Sequence, residues 1–529
     1  MGAARGGGPA GESALTALAQ APAPSRALAP GAPFGPRVFV GVMGVLVAAL
    51  MSGLSDRVGD LALIDIRGVH GFGVDDGQWL SIVYTAAELI AMPLTFWFAV
   101  TLSFRRYHMG VTAAFMLIAL LLPFAPNYGW MLALRAGQGL MGGALIPLLM
   151  GAALRFFPAS LRLYGLSLYA LTATFAPNVA VWIAALWTDQ LSDWRLVYWQ
   201  SVPLGGFALW AVWWGIPQDP VRLERFGHFD LLGLVSAFAS LAMLVIAMEQ
   251  GERLDWFHSS LFTWLLFGGL ALFVVFLASQ WFHPVPYVKL HLLERRNLWL
   301  AFVIFMGTLA VLLSGSMLPA DQLVHVGGFR PLQLAPIGLA IALPQFVLGP
   351  LTAFLLYQKW ADARRVMALG LLLLAVSCFL GASVTSDWMV AQFWTAQVFQ
   401  ALGQPLAVVS LLFVATSAIT PMEGPLVSGI INGLRVIGTF LGGIGISYHL
   451  AVRTDAHERG LLDRLGRIVF DPGASHAELA ARVGQQAFTL SIADSYRLLG
   501  LLALALIPLT FFLFHTPPPA IPPRASKGI

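Results

Sequence analysis

Charge is the first thing this sequence lacks. Only 11% of its 529 residues are Asp, Glu, Lys or Arg and 58% are hydrophobic, against roughly 25% and 45–50% in an average soluble protein. Mean hydropathy is +0.78, and a soluble globular chain is excluded. Cysteine is almost missing: Cys378 stands alone, so there is no intramolecular disulfide and no thiolate metal cluster. Its apolar surroundings in sequence predict a buried thiol. Residues 1–36 lack a continuous apolar core, so they do not read as a cleavable signal peptide, and a disordered cytoplasmic tail is expected. No Walker A sequence, HExxH pair or GxSxG elbow stands out, which disfavours ATP-driven transport and soluble-type hydrolysis by this chain. No cofactor or metal is expected, and any transport must draw on a gradient. The formal net charge of +4 is spread over short loops rather than set in a stripe among stacking aromatics, which disfavours nucleic-acid binding.

What is present is a series of apolar runs from about Val38 to Phe512. A bilayer crossing needs about 20 such residues in a helix, whereas barrel strands alternate over about ten, so the fold class is all-α and polytopic. Runs bounded by charge, Gly or Pro lie near 38–62, 78–100, 108–125, 128–152, 162–187, 196–216, 229–249, 261–282, 298–320, 332–357, 364–384, 388–416, 427–451 and 495–515. They predict about fourteen transmembrane helices. Lys and Arg are retained on the cytoplasmic side in short loops. Arg105 and Arg106, Arg155 and Arg162, Arg222 and Arg225, Lys289 with Arg295 and Arg296, and Lys359 with Arg364 and Arg365 occupy alternate loops. Those loops are expected in the cytoplasm, as are both termini, while the segment from Asp56 to Asp76 carries five Asp against two Arg.

LSFRRYHMG, around Arg105, is echoed by ADARRVMALG, around Arg364, 259 residues later. Almost the same distance separates Val38 from Leu298, so six helices and six helices fit around a two-helix insert. Repeated halves about a midplane site are the usual build of secondary transporters, although short basic loops also resemble one another by chance. The expected division is a tail over 1–36, a six-helix bundle over 37–217, the insert over 218–297, a second bundle over 298–515 with an outer loop at 452–494, and a Pro-rich tail over 516–529.

Ionisable groups at membrane depth are costly and usually mark ion or substrate paths. Asp56 and Asp60 sit four apart and share a helix face. Two readings stand open: the first helix continues past Leu54 and this face lines an outer vestibule, or it ends at Ser55 and these are loop charges. Glu88, in YTAAELIAMPL, lies near the middle of the second span with no counter-charge nearby in sequence. It is a candidate proton carrier, or a hydrogen-bonded glutamate at a helix contact. Arg135, in LRAGQGLMGGALIPL, could pair with a carboxylate and bias its protonation, with Gln138 on the same side. Gly139 and Gly143, like Gly438 and Gly442, have the GxxxG spacing of close helix contact.

Asn432 and Arg435 repeat the polar theme late in the chain. Gln397, Gln400 and Gln404 make a polar stripe facing either a cavity or a neighbouring helix, and Gln345 could face the same space. Pro177 and Asn178 predict a kink in the fifth span. Two His/Asp spacings, His70 with Asp75 and His457 with Asp463, lack any further catalytic block and read as chance.

WLSIVYTAAELIAMPLTFWFA, LRAGQGLMGGALIPL, WRLVYWQSVPLGG and EGPLVSGIINGLRVIGTFLGG together resemble the fourteen-span drug:proton antiporter family 2 of the major facilitator superfamily, over nearly the whole chain. The resemblance implies a major facilitator fold and places Arg135, Gln138 and Gly139 on the family's fourth-helix R-x-x-Q-G motif, whose arginine is implicated in proton coupling. Other motifs depart from the family. Its basic loop keeps only Arg105 and Arg106 in the first half, though Asp362, Arg364 and Arg365 persist in the second. The antiporter motif reads TFAPNVAVWIAA, with Ala180, Val181, Ala184 and Ala185 at its Gly-Pro and Gly-Gly positions. LSDRVGDLAL displaces the first-span aspartate. A divergent subgroup is implied.

The leading expectation is a proton-coupled secondary transporter of the bacterial inner membrane, exporting an amphipathic organic compound by alternating access. Glu88 would carry the proton, with Asp56, Asp60 and Arg135 as co-actors. Gln138, Asn178, Gln345, Gln397, Gln400, Gln404, Asn432 and Arg435 would line an aromatic-rich, weakly charged cavity. Arg105, Arg106, Asp362, Arg364 and Arg365 would form cytoplasmic gating loops. Protons, a small organic substrate and the lipid bilayer are the implied partners, with a periplasmic adaptor and outer-membrane channel compatible. The alternatives are uptake of a small solute, a transport-dead sensor, or a membrane-integral enzyme with its site at 451–494.

Overall fold

The computed structural model describes residues 34–419, 424–465 and 476–518. The tails expected at 1–36 and 516–529 lie almost wholly outside the described residues, within which every regular element is helical. α1 (Pro36–Leu61) starts with proline at its first position, where the missing N–H has no intrahelical partner anyway. It runs 26 residues and so continues past Leu54, which removes the reading that ends it at Ser55. α2 (Leu63–His70) is short, and α3 (Val74–Leu102) returns across the bundle. Ser103, at φ 79°, makes the sharp turn into α4 (Phe104–Leu121). α5 (Tyr128–Phe156) is capped by Asn127, whose side chain accepts from the Trp130 N–H at 3.0 Å. α6 (Arg162–Thr174) and α7 (Ala176–Ala185) meet at a 47° bend beside Pro177, the predicted kink. α8 (Leu196–Trp199) and α9 (Ser201–Gly215) follow.

Eight further helices complete the chain: α10 (Leu231–Gln250), α11 (Ser260–Phe282), α12 (Arg296–His325), α13 (Pro331–Leu356), α14 (Ala363–Gly381), α15 (Val390–Ser417), α16 (Gly424–Leu465) and α17 (His476–Phe511). Among the described residues twelve helices are long and apolar enough to cross a membrane, or thirteen if α6 and α7 form one bent span. The segment expected as a span near 196–216 is not among them. It is divided into α8 and the 15-residue α9, short of the roughly 20 residues a crossing needs.

The segment expected as an outer loop at 452–494 is instead helical over its described part, because α16 and α17 extend far beyond their apolar stretches. At about 1.5 Å per residue, the 42 residues of α16 reach about twice the roughly 30 Å hydrocarbon thickness. The extension is zipped by polar pairs. Arg453 reaches Asp494, His457 Nε2 lies 2.8 Å from the same carboxylate, and Thr454 bonds Ser491 at 3.0 Å. His457 is thereby part of a helix-to-helix clamp. His70 and Asp75 do not come together either: the His70 ring lies on the Ile66 carbonyl, and Asp75 pairs with Arg253.

α1, α3, α4, α5 and α9 pack closely with one another, with α6 on α5 and α7 on α1, and α12 and α14–α17 form a second group, with α13 on α15. The two groups meet along α13 against α6 and α7, α15 against α6, and α16 against α3 and α5. α10 and α11 pair, and α10 lies on α3, where Leu241 and Val245 join Ile82, Leu89 and Leu94 in one apolar cluster that Phe440 of α16 packs against. Gly139 and Gly143 carry α5 against α3: a Cβ on either would lie 2.3 or 2.2 Å from the Tyr84 or Glu88 carbonyl oxygen. Gly438 and Gly442 seat α16 on Met306 and Ala310 of α12. Both GxxxG spacings are packing contacts. Cys378 is fully buried, with its thiol 3.3 Å from Ser314 Oγ.

Candidate functional site

A cavity of about 780 Å³ lies between the two groups of helices. α1 presents Asp56, Arg57 and Asp60 to it, α3 presents Ser81, Thr85 and Glu88, and α16 lines it from Arg435 to Ala451. Leu61, Glu252, Tyr448 and Ala451 are exposed at its mouth. One turn below Arg435 on α16 and one turn below Thr172 on α6 the space is closed: Tyr169 donates to Asn432 Oδ1 at 2.8 Å, and both side chains are buried. Ser428 donates to the Pro147 carbonyl at 2.9 Å. Lower still, the Tyr357 hydroxyl donates to the Ala159 carbonyl and accepts from the Leu163 N–H, at 2.9 and 3.2 Å. The bundle is thus open at one end and sealed at the other by bonds that cross between its two groups.

The sealing bonds predict a specific response. Tyr169→Phe removes a buried neutral hydrogen bond with a net value of about 1 kcal/mol, which corresponds to roughly a five-fold loss in the weight of the sealed state. Spin labels on Ala159→Cys and Lys359→Cys, with Cys378 buried out of reach, should show a larger long-distance fraction in the variant. An unchanged distance distribution means the bond holds nothing closed.

Glu88 sits at the cavity floor with 5% of its surface exposed. The counter-charge that its sequence neighbourhood lacks arrives from the other group of helices, where Arg435 Nη2 lies 4.0 Å from Glu88 Oε1. Asp60 accepts from Ser81 Oγ, while Asp56 Oδ1 has no hydrogen-bond partner among the described residues. The predicted face of α1 therefore does line the vestibule, together with Glu88.

Arg135 stands elsewhere. It is 2% exposed and lies behind α1, off the cavity wall, with its guanidinium 4.4 Å from the Tyr84 ring centroid and packed on Gly59. It donates to Gln138 Oε1 at 3.0 Å, and Gln138 donates to Ser55 Oγ at 3.2 Å. Among the described residues no carboxylate lies within 4 Å of Arg135, so the expected ion pair is absent. It packs on the α1 backbone at Gly59, the residue before Asp60. Gln138 likewise stays off the cavity wall.

Of the remaining polar candidates, Asn178, Gln404 and Arg435 line the cavity. Asn178 Nδ2 donates to the Thr174 carbonyl at the bend, at 2.7 Å. Gln397, Gln400 and Gln345 do not line it: Gln397 donates to the Gly315 carbonyl, Gln400 to Ser314 Oγ and Gln345 to the Ala401 carbonyl, at 3.0, 2.7 and 3.0 Å. They join α15 to α12 and α13. Asn432 belongs to the seal.

The two basic loops are built differently. Asp362 caps α14, binds Arg364 at 2.7 Å and lies 3.4 Å from His515. Burial pushes its carboxyl up, but the hydrogen bonds and charge of Arg364 outweigh this and hold it below the usual carboxylate range. Arg364 also reaches the Leu513 carbonyl, while Arg365 is exposed. In the first half Arg106 is exposed, and Arg105 lies 6.0 Å from the Trp213 ring centroid. The ion pair there is Arg155 with Asp219, at 2.6 Å.

The cavity is not weakly charged. Six carboxylates line it (Asp56, Asp60, Glu88, Glu249, Glu252 and Asp321) against the two guanidinium groups of Arg57 and Arg435. Glu249 and Asp321 were legible by the rule that singled out Glu88, an acid ending or interrupting an apolar run. Glu249 lies at the end of the seventh predicted span, and Asp321 directly follows the ninth.

Two groups of membrane-length helices around a deep cavity that is open at one end and sealed at the other define a membrane transporter rather than an enzyme. Residues 45–358 match the Major Facilitator Superfamily, and the chain belongs to that family. It is similar to the fatty acid resistance protein FarB of Neisseria gonorrhoeae, 24% identical over 453 residues, 83% of this chain and 85% of that protein. It is also similar to the probable multidrug resistance protein EmrY of Escherichia coli, 25% identical over 515 residues, 91% of this chain and 95% of that one. Colistin resistance protein EmrB of Acinetobacter baumannii is 25% identical over 464 residues, covering 82% and 88%. Among solved structures, the human organic anion transporter MFSD10 superposes with a TM-score of 0.53 at 13% identity, over 89% of this chain and 100% of that one. A POT family peptide transporter reaches 0.54 at 14%, over 89% and 95%. At such identities these structures speak to the fold alone.

Proposed function

We propose that this chain is a proton-coupled exporter of amphipathic organic compounds, working by alternating access in the bacterial inner membrane. The observation that carries the reading is the pairing of Glu88 with Arg435 at the cavity floor. A carboxyl that water reaches from one end, with a counter-charge supplied by the opposite group of helices, links proton uptake to the separation of those groups. Protonation removes the attraction to Arg435, and ionisation restores it. Asp56 and Asp60 line the route between Glu88 and the mouth. Arg135 acts as a positioning residue for α1 through Gly59 and Gln138.

In this reading α6 with α7 makes the fifth span and α8 with α9 the sixth, so that the division is six spans, two inserted spans and six spans, with both termini in the cytoplasm. The sealed end, where Arg155, Arg162, Lys359 and Arg364 cluster, is then cytoplasmic by the positive-inside rule, and the cavity faces outward. The polar extension of α16 and α17 would stand on the outer side, where a periplasmic adaptor and outer-membrane channel would have access to it.

The test is everted membrane vesicles with an imposed pH gradient, challenged with a panel of amphipathic compounds. Collapse of the gradient by at least one compound, dependent on the protein, is the expected result. No collapse by any compound with folded protein present, or a collapse that also occurs in vesicles lacking the protein, removes the antiport reading.

A further inference from the structure

Away from the cavity, at the sealed end of the molecule, the linker of residues 216–230 joins α9 to the inserted pair. It is tied down along its length. Gln218 donates to Ser103 Oγ at 2.9 Å, Asp219 pairs with Arg155 at 2.6 Å, and the Arg222 N–H donates to the Thr101 carbonyl at the end of α3, at 2.8 Å. A 3₁₀ turn at Leu223–His228 follows. Phe226 and Phe229 set their rings edge-on to Trp97 of α3, each at 5.2 Å, and Tyr287, beyond α11, completes the cluster at 5.9 Å. Asp230 is buried at the end of the linker and accepts from the Gly233 N–H, Ser279 Oγ and Gln280 Nε2, each at 2.7 Å. The turn therefore presents its side chains from a backbone held at both ends.

Two guanidinium groups, Arg222 and Arg225, stand on this turn, and among the described residues no carboxylate lies within 4 Å of either. Asp219 and Asp230 are engaged elsewhere, and Glu224 is exposed without an ion pair. Partial burial and the neighbouring charge of Arg222 hold the Arg225 guanidinium below its usual range. Arg225 lies over the Trp97 ring, with Cζ 5.8 Å from the centroid, and two buried donors there, Arg225 Nε and Trp97 Nε1, have no partner among the described residues. Like charges held together cost free energy, as do buried donors left open, and an anion relieves both. A second observation concerns depth. α3 ends at Leu102, α9 ends at Gly215 and α10 begins at Leu231, so the two arginines sit where three helices reach the membrane surface. Leu223 and Phe226 on the turn, with Leu231 and Leu232 at the start of α10, are exposed. Exposed apolar side chains beside unpaired arginines at that depth match acyl chains beneath a phosphate.

We propose that Arg222 and Arg225 bind the phosphate of an anionic phospholipid of the phosphatidylglycerol type, with its acyl chains along Leu223, Phe226 and the start of α10. The site requires that the helices span a bilayer, but neither proton coupling nor the cavity enters it. A zwitterionic lipid offers the same phosphate with a cation attached, so two guanidinium groups favour the headgroup that lacks one. The bound phosphate screens the arginines from each other and stabilises the junction between α3 and the inserted pair.

The test is native mass spectrometry of the full-length protein released from detergent micelles, titrated with dioleoylphosphatidylglycerol or dioleoylphosphatidylcholine. An arginine near an anionic headgroup is worth about five-fold in affinity, so the first phosphatidylglycerol should bind about ten-fold or more tightly than the first phosphatidylcholine. Arg222→Gln combined with Arg225→Gln should remove that preference and leave phosphatidylcholine binding unchanged. Should the combined variant fail to fold, Arg225→Gln alone serves, with a loss of about five-fold expected. Lys359→Gln combined with Arg365→Gln, which takes two exposed cations from the other group of helices, should leave the preference close to wild type. Thermal unfolding in detergent is the second measurement: phosphatidylglycerol should raise the midpoint of the wild type but not of the Arg222/Arg225 variant. Equal affinity for the two lipids, an undiminished preference without the two arginines, or an equal loss in both pairs of substitutions overturns the proposal. Displacement of the lipid by excess inorganic phosphate would mark a site for soluble anions and overturn the lipid assignment. The expected binding pattern in a protein that moves no protons supports the lipid site and removes only the transport reading.

Discussion

Glu88→Gln should abolish transport driven by a pH gradient while leaving a folded protein that still binds its substrate. The carboxyl lies at the floor of the cavity, 5% exposed and opposite Arg435, and the amide replaces it with the same shape and no exchangeable charge. Buried charges that lose a partner are expensive, yet here the charge left behind, Arg435, lines the water-accessible cavity, so a global collapse is not expected. Uphill transport should fall by more than about ten-fold, whereas downhill exchange of substrate continues, because the cavity and its other side chains are untouched. The measurement is proteoliposome transport with and without an imposed pH gradient. Wild-type response to the gradient in Glu88→Gln would refute the proton-carrying role and move attention to Asp56 and Asp60.

The parts of this site that could be read from the sequence are those whose signal is local. Asp56 and Asp60 share a face because helical periodicity puts i and i+4 together, and both reach the cavity. Glu88 announces itself by interrupting an apolar run, and the glycine pairs by their spacing. Arg435 as the partner of Glu88 was not legible, since no local pattern tells which late helix crosses which early one. The glutamine stripe shows the limit of periodicity: it fixes a face but not what the face meets, and only Gln404 meets the cavity. The α16–α17 extension escaped because apolarity was the criterion for a helix. Those segments are held by polar pairs instead, Arg459 with Asp455 and Arg482 with Glu478 along each helix and Arg453 with Asp494 between them. Such i,i+4 pairs are themselves a helix signal.

The charge of the cavity needed the fold before it could be counted. Asp56, Glu88, Glu249 and Asp321 come from α1, α3, α10 and α12, spread over more than 260 residues of sequence, and each taken singly is compatible with a weakly charged site. Brought to one cavity they outnumber Arg57 and Arg435. That surplus separates this cavity from the expected one, and α10 contributes to it through Glu249.

Gly143→Val should be among the most damaging single substitutions, although it touches no charged group. α5 and α3 approach so closely here that any Cβ would stand 2.2 Å from the Glu88 carbonyl oxygen and 2.8 Å from its Cα. The obstacle is backbone, which no rotamer change can clear, and a β-branched side chain adds bulk in a direction already filled. The helices must separate, and overpacking of this kind costs about 3 kcal/mol or more where the neighbour cannot yield. Small residues are what allow helices in a bilayer to gain packing contacts at all. The loss is also specific in place, because the clash displaces the residue that faces Arg435. Thermal unfolding in detergent, followed by tryptophan fluorescence, should show a lower midpoint and less folded protein recovered, with Gly143→Ala intermediate. Gly445→Val on α16, where no atom lies within 4 Å of an added Cβ, is the control and should leave the midpoint close to wild type. A wild-type midpoint in Gly143→Val would mean that α3 and α5 are not packed at this contact, and the placement of Glu88 against Arg435 would fall with it.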